Sequence, residues 1–469
     1  MPEKNTLIIF GNGADLYSGL DTRFSDYINP KRMRILQKLK TYEKFRDLIQ
    51  TYLEKYNIRF SDDIKGKIVN YPLMVMISGD SHTGSFYNSL EKEIQSVRWN
   101  YNDATKIATE IKSNLDSLNE ELLSSFEYDD NNNFNFWEAL AVVTNTNEGS
   151  WYDIEKLIKD FIFCRYPSGD SNTSIFKQIE NFMNELNNNN YLMSTNYFSP
   201  YPRKLKSCSY FCFVIYILIH KNKNAIDNFQ SYHLLNELYE FENNFADYII
   251  DNIKTNKSYE SNIESLINTL MKISKNRSSN LFTFNYTRPQ LSSCNIKKSK
   301  NIHGNINNSS QRNNSPVIIG IDNKIDEKYK NNEKDYQNIF SFTKTKRILS
   351  LVDENIDVLD SNIDEIIFFG HSLGESDYSY FQSIFDYYDI YDSYLKIKFV
   401  FSPRYSKDDD ENEKLLKDMN KLESQSIKVS KLINEYGLTL DNTDHGKNLL
   451  HKLLTQGRLQ IINIEDFLN

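Results

Sequence analysis

Strand-like runs are spread very unevenly along this chain, and their placement limits the folds open to it. A short apolar run, LIIF at residues 7–10, leads straight into the turn GNG and a helix start. The other runs come only after residue 280: LFTFNY, NIHG, VIIGI, EIIFFG, KIKFVF and LQIINI. Several are followed by turn residues and helical segments, which reads as alternating β and α structure. A lone N-terminal βα unit cannot bury both of its faces, so the first strand belongs in the sheet formed by the later ones. The expected fold class is therefore α/β: a doubly wound, mostly parallel Rossmann-like sheet with a large all-helical insertion after the first βα unit.

Between the two strand-bearing parts the apolar residues recur at helical spacing, as in Ile107, Ile111, Leu115, Leu118 and Leu122, and again in Ile263, Leu266, Ile267, Leu270 and Ile273. Polar punctuation near residues 129–135 and 187–190 divides this stretch into about three helical groups. Trp151, Ile154, Ile158 and Ile162 form another apolar stripe. That segment reads as a helix packed on a core, with Asp153 and Glu155 on different faces, where they are structural or contact a ligand or partner. The longest apolar run, near residues 210–219, is about half a membrane span and reads as a buried helix.

Composition narrows the partners. Of 469 residues, 39% are hydrophobic and 13% aromatic, enough for packed cores and too much for a disordered chain. The net charge of −9 does not suit a polyanion binder, so nucleic acid is not the default partner. The N-terminal apolar run is too short for a signal peptide, no run reaches a membrane span, and a cytoplasmic protein is expected. Cys164, Cys208, Cys212 and Cys294 lack paired CxxC spacing, so they are expected to be reduced core thiols and no metal is predicted.

Four clusters carry candidate chemistry. In GNGADLYSGL, Gly11 and Gly13 permit a tight turn around Asn12, and a helix beginning near Asp15 would aim its free N–H groups at a phosphate; Asp15 could equally be that helix's N-cap. Leu16 stands where the GxGxxG fingerprint has its third glycine. Thr22, Arg23 and Phe24 follow Gly19 in a loop able to close over a ligand, although Arg23 reads equally well as a solvated charge. FTFNYT puts Asn285 at a strand end, where open α/β sheets place their ligand crevice. IHGN follows with His303 and Gly304. EIIFFGHSLGESDYSYF puts Gly370, His371 and Ser372 at another strand exit, with Asp377 and Tyr380 at the next helix start; without a GxSxG elbow, Ser372 is not read as a hydrolase nucleophile. On this reading residues 1–30 and 280–469 form a nucleotide-binding α/β domain, and residues 31–279 a helical insertion domain.

Taken together, GNGADLYSGLDTRFSDYI, WYDIEKLI, FNYT, HG and GHSLGESDYSYF resemble the signature blocks of the AbiH family of bacteriophage abortive-infection proteins, with Ala14 where that family habitually has an aromatic. The blocks are similar, more distantly, to sirtuin-like NAD-binding domains. Gly11, Gly13, Ser18, Gly19 and Phe24 fall in the glycine-turn block, Asn285 at a TxN position, His303 at an HG, and Gly370, Ser372 and Leu373 at a G-x-S-L strand. Thr287 stands where sirtuins carry Asp, and no zinc-binding cysteine pairs follow His303, which counts against protein deacetylation.

The resemblance implies an antiphage effector that hydrolyses NAD⁺ at its bond to nicotinamide. In that reading the Gly11–Asp15 turn holds pyrophosphate, Asn285 orients water and ribose, and His303 is the base or a ribose-hydroxyl partner. The implied ligand is NAD or a related nucleotide, as substrate or ligand, with Asn12, Thr22, Thr287, Gly304, His371 and Asp377 among the contacts. A phage or host protein trigger and a homo-oligomer are compatible with it. The alternatives are a non-catalytic nucleotide-binding sensor or interaction protein in phage defence, and a toxin acting on RNA or translation.

Overall fold

The computed structural model describes residues 4–31, 106, 109–110, 113, 135–143, 151–164, 231–306, 317–322, 325, 332–349, 356–406, 408–441 and 443–468. Six strands, β1 (Asn5–Phe10), β2 (Ser278–Thr283), β3 (Ile296–Asn301), β4 (Ile363–Phe369), β5 (Lys396–Phe401) and β6 (Leu459–Asn463), form one open sheet in the order β3-β2-β1-β4-β5-β6. Every neighbouring pair is parallel. This is the doubly wound Rossmann-like order, in which the chain direction across the sheet reverses between β1 and β4.

Helices on both faces explain why β1 and β4 are continuous apolar runs and not alternating ones. Leu7 and Ile9 of β1, Ile366 and Phe368 of β4, and Ile397 and Phe399 of β5 face one core. There they meet Phe381 and Phe385 of α8 (Tyr378–Tyr387), Leu432 and Ile433 of α9 (Glu411–Gly437), and Leu449 and Leu453 of α10 (Thr443–Thr455). Ile8, Phe10, Ile367 and Phe369 point the other way, onto α5 (Tyr259–Ser274). The expected stripe Ile263, Leu266, Ile267, Leu270 and Ile273 is the buried face of α5.

Two strand expectations need correction. NIHG is not a strand but the exit of β3, whose sequence is the polar IKKSKN. β3 is an edge strand, where lysines keep the free edge from pairing further, so its hydrophobic signal is weak. VIIGI joins no sheet. Val317 and Ile321 make only isolated bridges, to Gly304 and Thr343, although Val317, Ile318, Ile319 and Ile321 are all buried. A short buried apolar run does not by itself distinguish a strand from packed irregular chain.

The chain divides into two compact units: residues 1–24, 150–155 and 242–469, which hold the sheet, and residues 25–149 and 156–241. Among the described residues the remaining α-helices are α1 (Gly13–Tyr17), α2 (Phe136–Val143), α3 (Trp151–Cys164), α4 (Ser231–Thr255), α6 (Glu333–Phe340) and α7 (Lys344–Ile348). Within the second unit Phe136 and Trp137 of α2 meet Phe161 of α3 edge-on, and the Trp137 indole N–H donates to the Leu234 carbonyl at 3.0 Å. Ile154, Leu157, Ile158, Phe161 and Ile162 make the buried stripe of α3. The periodic residues Ile107 to Leu122, the run at 210–219, and Cys208 and Cys212 lie outside the described side chains or residues. Among the described residues no helix is long and apolar enough to cross a membrane.

Candidate functional site

The carboxyl ends of β1 and β4, where the strand order reverses, are locked together by backbone. Gly11 N–H donates to the Phe369 carbonyl at 3.1 Å and Gly13 N–H to the Gly370 carbonyl at 2.7 Å. Gly370 has φ +72°, and a Cβ on Gly13 would come within 2.5 Å of the Gly370 Cα. Both glycines are therefore needed for the two turns to touch, and the Gly13 N–H is already committed. The helix begins at Gly13, so Asp15 is not its N-cap; Asn12 holds that position and exchanges side-chain hydrogen bonds with Thr22 instead. Thr22 and Phe24 are packed in place, not poised on an open loop.

The remaining polar residues at this edge fall into two groups. On the α5 side the buried Asp15 carboxylate accepts from the Tyr259 hydroxyl at 2.7 Å and from Thr287 Oγ1 at 2.9 Å. Burial pushes Asp15 up to about 6, against the hydrogen bonds of Tyr259, Thr287 and Asn285 that favour its charge. Asn301, the last residue of β3, donates through Nδ2 to the carbonyls of Asn285 and Thr287 at 2.9 and 2.8 Å, tying the exit of β2 to that of β3. A small cavity beside Asp15 is lined by Asn285, Thr287, Arg288 and Asn301 on its polar side and by Ile263 and Ile267 on its apolar side.

On the α8 side the buried ammonium of Lys344 lies 2.7 Å from Glu155 Oε1 and 3.1 Å from Asp377 Oδ1. His371 Nε2 is 3.4 Å from Asp377 Oδ2, while its Nδ1 accepts from the Leu373 N–H at 2.9 Å, so Nε2 carries the proton facing Asp377. His303 Nε2 is 3.9 Å from Asp377 Oδ1, beyond hydrogen-bonding distance. Phe284 packs edge-on against both histidines, with ring centroids at 5.5 Å from His303 and 4.6 Å from His371, and Tyr380 covers His303.

Charges in this group follow from burial and from Lys344. Burial opposes ionisation of Asp377, but Lys344 and His371 outweigh it and hold the carboxyl far below its usual range. Glu155 is pushed up to about 7 by burial, with Lys344 pulling against it and Asp377 adding to it. His303 is pushed down to about 3, first by burial and then by Lys344, so its imidazole is neutral at physiological pH. Among the described residues no group of three or more His, Cys, Asp or Glu side chains is placed to hold a metal ion.

The structure thus brings Asp15, Asn285 and Thr287 together, and separately His303, His371 and Asp377. Ser18 and Gly19 lie at the end of α1, where their carbonyls accept from Asn262 and Asn256. Gly304, with φ +80°, bridges to Val317, and Ser372 is exposed to solvent. Lys344 and Tyr259 carry no sequence signal of their own: KTKR reads as a solvated charge run, and Tyr259 as the start of an ordinary helix. Glu155 was readable as structural or as a contact to a ligand or partner, but not as the partner of Lys344, which lies far along the chain.

Asn285 and His303 nevertheless both stand just past the carboxyl ends of neighbouring strands. Thr283 of β2 pairs with Asn301 of β3, and each candidate follows its strand's member of that pair by two positions. Both are buried, and Asn285 Oδ1 and His303 Nε2 find no hydrogen-bond partner among the described residues. Buried polar atoms left unpaired are uncommon and call for an explanation.

A parallel, Rossmann-like sheet with titratable and amide side chains gathered at the carboxyl edge defines an α/β protein whose candidate site lies at the strand reversal. Residues 7–401 match the family model described as bacteriophage abortive infection AbiH, and the chain belongs to that family. Its role is in abortive infection, an antiviral defence. No curated protein and no solved structure matches the chain.

Proposed function

We propose that this AbiH-family protein is an antiphage effector that hydrolyses the N-glycosidic bond between nicotinamide and ribose in NAD⁺ or a related nucleotide. The observation that carries the reading is the pair Asn285 and His303, each just past the end of one of the neighbouring strands β2 and β3 and each with one buried polar atom left unpaired. An amide oxygen and a neutral imidazole nitrogen are what a water molecule or ribose hydroxyl beside the anomeric carbon would donate to. The resemblance of these blocks to sirtuin-like domains supports the same substrate class.

In the reaction a water oxygen bonds to C1′ while the C1′–N bond breaks, and the bonding pair leaves with neutral nicotinamide. The water proton passes to His303 Nε2 and then to solvent. Because the transition state is oxocarbenium-like, the attacking water becomes acidic as its bond forms, and a weak base is sufficient. The depressed basicity of His303 thus fits an acceptor that remains neutral until that moment, with Asp377 at 3.9 Å the charge that favours the protonated ring. Gly13 cannot donate to pyrophosphate while its N–H is held by Gly370, so phosphate binding is not assigned to it.

The test is nicotinamide release from NAD⁺ by the wild-type chain and by Asn285→Ala and His303→Ala, alone and with lysate from phage-infected cells supplying a trigger. Loss of turnover in both variants is expected; unchanged hydrolysis by His303→Ala would sink the assignment. The deep burial of His303 and Asp377 favours a second reading, a nucleotide-binding sensor that performs no chemistry. Tight NAD⁺ binding by the wild type without nicotinamide release under either condition is its signature.

A further inference from the structure

We infer that the cavity beside Asp15 is a binding site for a bare monovalent cation of potassium's size, held by the Asp15 carboxylate and the Asn285 amide oxygen. The site does not depend on the nucleotide-directed reading above, and it gives a task to a buried carboxylate that the reaction proposed there leaves unused.

Hydrogen bonding around Asp15 consumes donors and leaves acceptors. The Tyr259 hydroxyl donates to Asp15 Oδ1 at 2.7 Å, and Thr287 Oγ1 donates to the same carboxylate at 2.9 Å. Asn301 Nδ2 donates to the carbonyls of Asn285 and Thr287 at 2.9 and 2.8 Å, and the Asn285 N–H donates to Thr283 Oγ1 at 3.0 Å. Asn285 Oδ1 is left buried and without a hydrogen-bond partner among the described residues, beside the further lone pairs of the carboxylate. Asp15 is 2% exposed, and the groups acting on its charge are all neutral hydrogen-bond donors. A buried carboxylate so placed lacks the counter-charge that would offset its desolvation.

One cavity joins these groups. Its volume of about 20 Å³ admits a single water-sized body, and six residues with a side-chain oxygen line it: Asp15, Thr283, Asn285, Thr287, Ser299 and Asn301. Arg288 lines it too, but is exposed and makes no ion pair with Asp15 among the described residues. Hard oxygen ligands with one carboxylate among them suit a singly charged ion, whereas a divalent ion calls for more ligand charge. A dehydrated potassium ion is about as large as a water molecule and exchanges its hydration shell for protein oxygens. The sheet holds those oxygens in place, since Asp15 follows β1, Asn285 and Thr287 follow β2, and Asn301 ends β3. A water molecule would fill the same space but leave the Asp15 charge without compensation. An amide oxygen has two lone pairs, so an ion on one leaves the second for the water or hydroxyl assigned to Asn285 above.

The probe is potassium chloride, titrated into the full-length protein against choline chloride at constant ionic strength and followed by thermal shift, with thallium(I) NMR as a direct measure of binding. The wild type is expected to show a saturable rise in melting temperature with potassium that choline does not give, and a shifted or broadened thallium resonance. Asp15→Asn keeps an oxygen for Tyr259 and Thr287 to donate to and removes the charge. It should weaken potassium binding by about tenfold or more, with unchanged near-UV circular dichroism. Asn285→Asp keeps the other oxygen and adds charge, and should tighten binding. A wild-type response equal in potassium and choline means that the cavity holds water, and overturns the site. So does a potassium response that either variant leaves unchanged. With no nucleotide in the titration, neither outcome bears on NAD⁺ hydrolysis.

Discussion

The Lys344 ammonium sits 2.7 Å from a carboxylate oxygen of Glu155, a buried contact that ties the first residue of α7 to the first turns of α3. With Asp377 on its other side, Lys344 is the charge that holds the α8-side group together. Removing one partner of a buried ion pair leaves the other uncompensated, which is worse than removing both.

Lys344→Met is accordingly expected to lower the unfolding free energy by about 3–5 kcal/mol, measured by urea titration. Adding Glu155→Gln should recover part of that loss, because Glu155 is then neutral without needing a proton. A double-mutant cycle with a coupling below about 0.5 kcal/mol would show that the two side chains act independently.

Asp15 makes stability depend on pH in the less common direction. Its folded pKa of about 6 lies above the usual 3.8, so between these values the folded chain binds more protons than the unfolded one. Its contribution is therefore fully present below about pH 4, falls as pH rises, and levels off above about pH 6. The shift corresponds to about 3 kcal/mol at full extent. Asp15→Asn keeps an oxygen for Tyr259 and Thr287 to donate to and removes the titration. Relative to wild type it should gain stability as pH rises from 4 to 6, and a difference that stays flat over that range would contradict the assignment. Tyr259→Phe, which removes a hydrogen bond to the charged form, should move the inflection higher.

Gly13→Ala and Gly370→Ala test whether the glycine turn serves the fold or a ligand. At Gly13 a methyl group meets the Gly370 backbone, and Gly370 additionally has φ +72°. Each substitution should lower stability by about 2 kcal/mol or more without any nucleotide present. Ligand-free melting curves identical to wild type would mean that these glycines are spared for a ligand and not for the contact between the turns.

Arg347 makes a two-pronged ion pair with Glu242 and also donates to the Ile319 carbonyl at 2.8 Å, while Glu242 accepts from the Ile319 N–H at 2.6 Å. These bonds fasten the buried run 317–321, which has no sheet partner. Arg347→Lys keeps the charge but loses the fork, and is expected to destabilise by about 1–3 kcal/mol. Hydrogen exchange at Ile319 should quicken with it; unchanged exchange would indicate that the run is held by packing alone.

Patterning along the chain sufficed for the central fold. β1 and β4 end in continuous apolar runs because both faces are covered, β5 is apolar throughout only in its second half, and α5 shows its stripe because only one face is covered. β3 was hidden, since an edge strand gains from lysine what a central strand gains from isoleucine. The candidate residues at strand exits were legible for the same topological reason, being polar residues directly after apolar runs. Their grouping was not. Asp15 found Tyr259 and Thr287, and His303 found Asp377, through contacts between elements far apart in sequence, and local spacing carries no record of such contacts. By itself the sequence determined that this chain builds a parallel α/β sheet with polar residues at its carboxyl edge, because burial dictates local hydrophobic pattern. Only the tertiary structure decided that Lys344 would neutralise that edge and that Gly13 would spend its N–H on Gly370, because charge pairing and close backbone approach depend on distance in space.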